Sequence, residues 1–274
     1  MKKFQLKAFI KYYINACTIY DIHSPYLYGI VSHLMENQMY YAFGEIEPYR
    51  ERYRRSSETI KRIDLGAGQE NGKALTISQI VRRASSSKEK CRFLFNLVKY
   101  FQPQHILELG TNLGIATSYL SYAHQSGQVY TIDADSNLIK HAKELFGNLK
   151  INSRISVFNS SFDSFFAEHS DIVKTVDFAF IDGDHSYDAT VNKVRAIMNN
   201  GQQRKVVVID DIYWSQEMQE AWTRLKEDYS HCLKIELIQM GIIIQDSKCP
   251  YNHNVSLIPL KYKPWRIGLT SGRY

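Results

Sequence analysis

Residues 105–133, HILELGTNLGIATSYLSYAHQSGQVYTID, decide the fold of this chain. An apolar run of strand length reaches Glu108, and a glycine turn follows. A helix-like stretch comes next, and a second β-rich run closes on Asp133. Strand, glycine turn, helix and acid-ended strand are the layout of a nucleotide-type cofactor site. The glycines let a ligand approach the backbone, and the closing acid can hold ribose hydroxyls.

The spacing is ELGxxxG, not GxGxxG, and the difference selects the cofactor. A carboxylate at Glu108, at a strand's C-terminal end, repels a pyrophosphate seated on the helix N-terminus. It attracts an α-ammonium group or, through solvent, a sulfonium. S-adenosylmethionine carries both and has no phosphate, so the spacing points to it and away from NAD.

A second glycine motif lies upstream at Asp64-Leu65-Gly66-Ala67-Gly68. It lacks a following strand that ends in an acid: the next stretch is ISQIVRRASSSKEK. We therefore expect Glu108-Leu109-Gly110 to be the cofactor turn and Asp64–Gly68 to be a turn at the end of a helical segment.

Downstream of residue 90 the chain alternates strand and helix patterns. ISVFN, FAFIDG and KVVVIDD read as strands, with helices over 188–199 and 216–229. LKIELIQM and GIIIQD have no helix between them and should pair antiparallel. The expected architecture is α/β: a doubly wound, mostly parallel Rossmann-like sheet behind an N-terminal helical extension. A serine-rich stretch at 82–90 suggests a boundary, giving an extension over 1–89 (a cap or a dimerisation element) and a cofactor domain over 90–274. Residues 1–62 read as mostly helical, broken near His23-Ser24-Pro25 and near Gly44, with a stripe of Phe4, Ala8, Tyr12 and Ile14.

The chain has 274 residues, 44% of them hydrophobic, enough for one large domain or a domain with an appendage. No apolar run approaches the roughly 20 residues needed to span a bilayer. The N-terminus opens with lysines, but Lys7, Lys11 and Asn15 break its apolar stretch. It reads as an amphipathic helix, not a signal peptide. Cys17, Cys91, Cys232 and Cys249 have no ligand-like spacing, which suits reduced thiols in the cytoplasm. The formal charge is +6. Residues 1–90 hold 15 Lys/Arg against 9 Asp/Glu, while the remainder balances. With Glu47, Glu51 and Glu58 among the arginines, this excess reads as a solvated helix face, and a nucleic-acid partner is not expected.

The blocks ILELGTNLGIATSYLS, VYTIDAD, VDFAFIDGDHSYD and VVVIDDIYWSQEMQEAW, in that order, resemble the class I S-adenosylmethionine-dependent methyltransferases. The whole chain is also similar to a subgroup of uncharacterised bacterial methyltransferases, which share the HSP segment at 23–25 and the DLGAG segment at 64–68. The resemblance implies a seven-stranded sheet with a reversed final strand. It puts Glu108, Gly110, Thr111 and Gly114 around the methionine moiety and Asp133 on the ribose. Ser161 and Phe162 would lie near the adenine, and Asp182 beside the transferable methyl.

Asp182 and Asp210 each end a strand, and neighbouring strand ends of such a sheet converge on one crevice. Clustered carboxylates need a compensating cation or protons. Asp182, Asp210 and Asp211 are thus candidate ligands for Mg2+ or Ca2+, as in the cation-dependent O-methyltransferases that this segment resembles. Asp184 or His185 is the candidate general base, with the former favoured by the resemblance and the latter by the acid–base chemistry common to histidine side chains. The plainer alternative makes Asp184 and the Asp210-Asp211 pair helix caps. Tyr213 and Trp214 could floor an acceptor pocket or simply pack. The expected activity is methyl transfer to a small-molecule acceptor, at a hydroxyl oxygen. A homodimer through the tyrosine-rich N-terminal helices is the expected assembly. The competing classes are a nicotinamide-dependent oxidoreductase and a nucleic-acid methyltransferase. The first lacks its glycine spacing, and the second lacks the prolines that base methylation needs after the fourth strand.

Overall fold

A computed structural model describes residues 3–63, 72–84, 86–249 and 253–264. In chain order, α1 (Lys3–Asn15), α2 (Pro25–Leu34) and α3 (Tyr41–Arg55) come first. A short pair, β1 (Thr59–Lys61) and β2 (Ala74–Thr76), leads to α4 (Ile77–Ala84) and α5 (Lys88–Phe101). Then follow β3 (His105–Leu109), α6 (Ile115–Ala123), β4 (Gln128–Asp133), α7 (Ser136–Asn148) and β5 (Ile155–Asn159). The short helices α8 (Phe162–Glu168) and α9 (Ser170–Thr175) precede β6 (Phe178–Ile181) and α10 (Tyr187–Met198). The chain closes through β7 (Lys205–Asp210), α11 (Gln216–Asp228), β8 (Leu233–Glu236), β9 (Met240–Gln245) and β10 (Asn254–Ser256).

Two compact units result, residues 37–184 and residues 1–36 with 185–274. In the first, four parallel strands lie in the order β6-β3-β4-β5. The chain runs outward from β3 through β4 to β5, then returns to place β6 on the other side of β3. The carboxyl ends of β3 and β6 therefore form a topological switch point, where open α/β sheets bind ligands. The five residues of β3 include four buried ones in succession, as expected for a parallel strand covered on both faces. Cys91, Leu94, Leu97 and Val98 of α5 and Tyr119 and Leu120 of α6 contribute to the buried core.

In the second unit the order is β10-β8-β9-β7. The two C-terminal runs form the expected antiparallel pair, with Ile235 opposite Ile242. β9 also pairs antiparallel with β7, so it is the reversed strand. The N-terminus is tied into this unit: the Tyr12 hydroxyl donates to the Leu257 carbonyl, and Lys263 Nζ donates to the Ala16 carbonyl at 2.6 Å. Among the described residues, no helix is long and apolar enough to cross a membrane.

Several local expectations change. β10 runs parallel to β8 and is one strand beyond the seven expected. Gly44 lies inside α3, and the second helix break falls over 35–40 instead. Ile14 is exposed, because the buried stripe of α1 continues through Ala8, Tyr12 and Ala16 at fourfold spacing. Residues 59–61 form a strand, not helix, since they pair with residues 74–76. Asp64, Leu65, Gly66, Ala67 and Gly68 lie outside the described residues.

Candidate cofactor and acceptor site

The turn between β3 and α6 is built by two left-handed glycines with different tasks. Gly110 has φ 109°, and a Cβ there would sit 2.2 Å from the Asp182 carbonyl oxygen. Only glycine lets the ends of β3 and β6 approach this closely. Gly114, at φ 78°, caps α6, and the space of its missing side chain is filled by Phe146 of α7. Its contribution is helix packing, and its backbone carries the helix start. Backbone donors of Gly110 and Thr111 both reach the Ile132 carbonyl, at 2.9 and 3.2 Å, which ties the turn to the end of β4.

Glu108 is fully buried. Its Oε2 accepts from the hydroxyls of Thr117 at 2.5 Å and Thr131 at 2.6 Å, and Thr111 bonds to Thr131 at 2.7 Å. Its Oε1 is buried with no hydrogen-bond partner among the described residues. Burial outweighs the two threonine hydroxyls and pushes this carboxyl up to about 8. Without a ligand, Glu108 is therefore mainly protonated near neutral pH. The residue type alone implies a standing charge; burial instead favours the neutral form.

Asp133 closes β4 as expected. Its Oδ2 accepts from the Asn112 amide at 2.8 Å and its Oδ1 from the Asp135 amide at 2.9 Å. Burial pushes its carboxyl up, against these two amides, which favour the anion. Two backbone donors fix the carboxylate plane and leave further lone pairs for a diol. The orphaned acceptor at Glu108 and the oriented acid at Asp133 fit a ligand with a cationic end and ribose hydroxyls. They suit S-adenosylmethionine in both respects.

Ser161 caps α8, its Oγ accepting from the Ser164 amide at 3.1 Å. The Phe162 ring lies against Gly183, within 2.9 Å of where a Cβ would stand. That places Phe162 over the loop leaving β6, beside Asp182. The Asp182 amide donates to the Leu109 carbonyl at 2.9 Å, and its carboxylate accepts from the Ser86 hydroxyl at 3.1 Å. Gly110, Phe162 and Asp182 are thus brought to one place.

The acceptor-side residues fall on the loops after β6 and β7. Asp184 is exposed with φ 50°, and Asp211 has φ 53°. Aspartate is one of the few residues other than glycine that adopt the left-handed region, because its short side chain can hydrogen-bond locally. The N-cap position of α10 is Ser186, and that of α11 is Ser215, whose hydroxyl accepts from the Met218 amide at 3.1 Å. Asp210 is buried and its Oδ1 accepts from the Asp211 amide at 2.9 Å. Tyr213 donates to Glu236 at 2.6 Å, so its hydroxyl braces the loop after β7. Trp214 is exposed, whereas Trp222 is core. Among the described residues, no three His, Cys, Asp or Glu side chains gather into a group that could hold a metal ion. The set Asp182, Asp210 and Asp211 does not by itself form such a group.

Sequence reasoning missed Thr117, Thr131, Ser86 and the Arg62–Asp135 pair. The threonines carry a legible signal, since each stands on a buried face of its element. The contact of Ser86 with Asp182 joins residues 96 apart and has no local trace. The arginines of the N-terminal third divide: Arg55 pairs on the surface with Glu51 at 2.7 Å, while Arg62 is mostly buried.

Residues 107–212 match a family described as a methyltransferase domain. No curated protein matches the sequence. Among solved structures, a methyltransferase of Podospora anserina bound to S-adenosylhomocysteine is 13% identical, with TM-score 0.54, covering 81% of this chain and 96% of that one. The O-methyltransferase TomG of Streptomyces achromogenes, in complex with S-adenosylmethionine, is 15% identical at TM-score 0.52, covering 62% and 87%. An O-methyltransferase from Bacillus cereus is 17% identical at TM-score 0.51, covering 76% and 91%. These likenesses show the fold, a Rossmann-like methyltransferase architecture.

Proposed function

We propose that this chain is a class I S-adenosylmethionine-dependent methyltransferase, resembling the cation-dependent O-methyltransferases, and that it methylates a hydroxyl oxygen of a small molecule. The observation that carries the cofactor part of the reading is a buried Glu108 oxygen with no hydrogen-bond partner among the described residues, paired with an oriented Asp133 carboxylate at the other side of one glycine turn; the hydroxyl acceptor rests on the resemblance. Bound S-adenosylmethionine would supply a methyl group on a sulfonium, and transfer would leave S-adenosylhomocysteine.

In this reading Glu108, Thr111 and the turn from Gly110 to Gly114 receive the amino-acid end, and Asp133 accepts hydrogen bonds from the ribose. Phe162 and Ser161 border the base, and Asp182 borders the reacting methyl. Asp184 or His185 takes the proton from the acceptor hydroxyl as the oxygen attacks. The chain's main task is to hold oxygen and methyl in line. Cation assistance by Mg2+ or Ca2+ at Asp182, Asp210 and Asp211 is a separate element of the proposal, supported by the strand-end aspartates and by the resemblance. Residues 1–89 serve as cap or dimer element, and the reaction is placed in the cytoplasm. Exposed Leu6, Phe9, Ile10 and Ile14 on α1 support a homodimer contact there.

The experiment is transfer of labelled methyl from S-adenosylmethionine to a small-molecule extract, with the product tested for hydroxylamine-stable ether linkage. Label in oxygen ethers supports the reading. Label in amines or nucleic acid, or none with any fraction, refutes it.

A further inference from the structure

We propose that residues 59–63 and 74–81 clamp the cofactor cradle and that Arg62 is a positioning residue of the site; this rests on the cofactor reading of Glu108 and Asp133 above. Two independent sets of contacts, both inside the unit 37–184, carry it.

The first is apolar. Leu113 stands in the glycine turn itself, between Gly110 and Gly114. It is 1% exposed and belongs to a cluster with Ile60 of β1, Leu75 of β2, and Ile77, Ile80 and Val81 of α4. The short strand pair and α4 thus form the seat of the cofactor turn.

The second is polar. Asp135 lies two residues past the ribose acid and is almost fully buried. Its Oδ2 accepts from Arg62 Nε at 2.8 Å and from the Ile63 amide at 2.9 Å. Its Oδ1 caps α7 by accepting from the Asn137 amide at 3.0 Å and the Leu138 amide at 3.3 Å. Asn137 Nδ2 returns a bond to the Lys61 carbonyl at 2.7 Å. Side-chain exposure is 16% for Arg62 and 2% for Asp135, so this is a buried ion pair.

The contacts close a ring. Arg62 holds Asp135, whose amide holds Asp133; Asp133 holds the Asn112 amide; and Leu113, the next residue, packs back onto β1. Both walls of the cradle are therefore fixed to the same module. Packing alone does not require a buried guanidinium, which is costly unless matched by a buried acid. Matched here, it sets the position of the loop that presents Asp133. The Arg62 charge also favours the anionic form of Asp133. A cradle held in its bound shape loses less freedom when the ligand arrives.

The test is backbone amide exchange of the ligand-free protein, together with calorimetric titration by S-adenosylhomocysteine, on wild type, Arg62→Ala, Arg62→Lys and Asn137→Ala. The clamp predicts faster exchange in Arg62→Ala at residues 112–114 and 135–138, with β6 unchanged. It predicts about tenfold weaker S-adenosylhomocysteine binding, largely restored in Arg62→Lys. Asn137→Ala, a milder change, should show the same local pattern at smaller size and serves if Arg62→Ala does not fold. Unchanged exchange at 112–114 in both alanine variants overturns the clamp, as does an increase of equal size in β6. If wild type shows no S-adenosylhomocysteine binding while the local exchange pattern appears, the cofactor reading fails and the clamp stands.

Discussion

Replacing Glu108 with glutamine should change how stability depends on pH. Burial pushes this carboxyl from its ordinary 4.5 up to about 8. The unfolded chain gives up the proton near the ordinary value, and the folded chain holds it until about 8. Between those values the folded state binds more protons, so stability falls as pH rises. The contribution is fully present below pH 4.5 and is lost by about pH 8. At about 1.4 kcal/mol per pH unit, the window from pH 5 to pH 9 contains roughly 4 kcal/mol. Glutamine keeps an acceptor for Thr117 and Thr131 but does not titrate. Its amide nitrogen would occupy the place of the partnerless Oε1, at a pH-independent cost of about 1–3 kcal/mol. Urea unfolding of both proteins without cofactor gives the difference directly. Asp133, also pushed up by burial, follows the same direction in both and largely cancels. We expect wild type to be the more stable at pH 5 and Glu108→Gln to gain steadily, overtaking it by pH 9. A stability difference that stays flat across this range would refute the protonated, buried Glu108.

Gly110→Ala should destabilise by about 3 kcal/mol or more, from left-handed strain and overlap with the Asp182 carbonyl. Gly44→Ala, in α3 with nothing within 4 Å of the added Cβ, should stabilise by about 0.5–1 kcal/mol; thermal melts separate the two. Asp184→Ala should lower kcat about 10²–10⁴-fold while S-adenosylhomocysteine affinity is kept. A larger loss in His185→Ala would move the base to that residue. Calorimetry with Mg2+ and Ca2+ in the presence of cofactor should show binding in wild type and its loss in Asp210→Ala. No heat in wild type would remove the metal from the proposal.

The core elements were legible because their signals are local. Strands β3, β4, β6 and β7 are apolar runs that reach an acid at or near their carboxyl ends, and the C-terminal hairpin follows from two β-rich runs with no crossover between them. The turn at Gly110 was legible as glycine spacing. What escaped are features set by distant partners. β1 and β2 are three residues each and exist through one another. β10 is equally short and pairs across a separation that periodicity does not encode. Gly44 reads as a breaker, yet a helix tolerates it at modest cost when neighbouring residues pack, and Ala42, Phe43 and Ile46 are buried. Arg62 sits in a run of surface-like arginines, and nothing local marks it as the one paired with a buried Asp135. The charge of Glu108 was inferred from its type, whereas burial decides its proton.

The turn from Glu108 to Asp133 is the place where S-adenosylmethionine must bind if this chain transfers methyl groups. Calorimetric titration of wild type and Asp133→Ala with S-adenosylhomocysteine, and of wild type with NAD, decides it. The expected result is S-adenosylhomocysteine binding to wild type, at least tenfold weaker binding to Asp133→Ala, and no NAD binding. NAD binding without S-adenosylhomocysteine binding, or equal affinity in the two proteins, would contradict it.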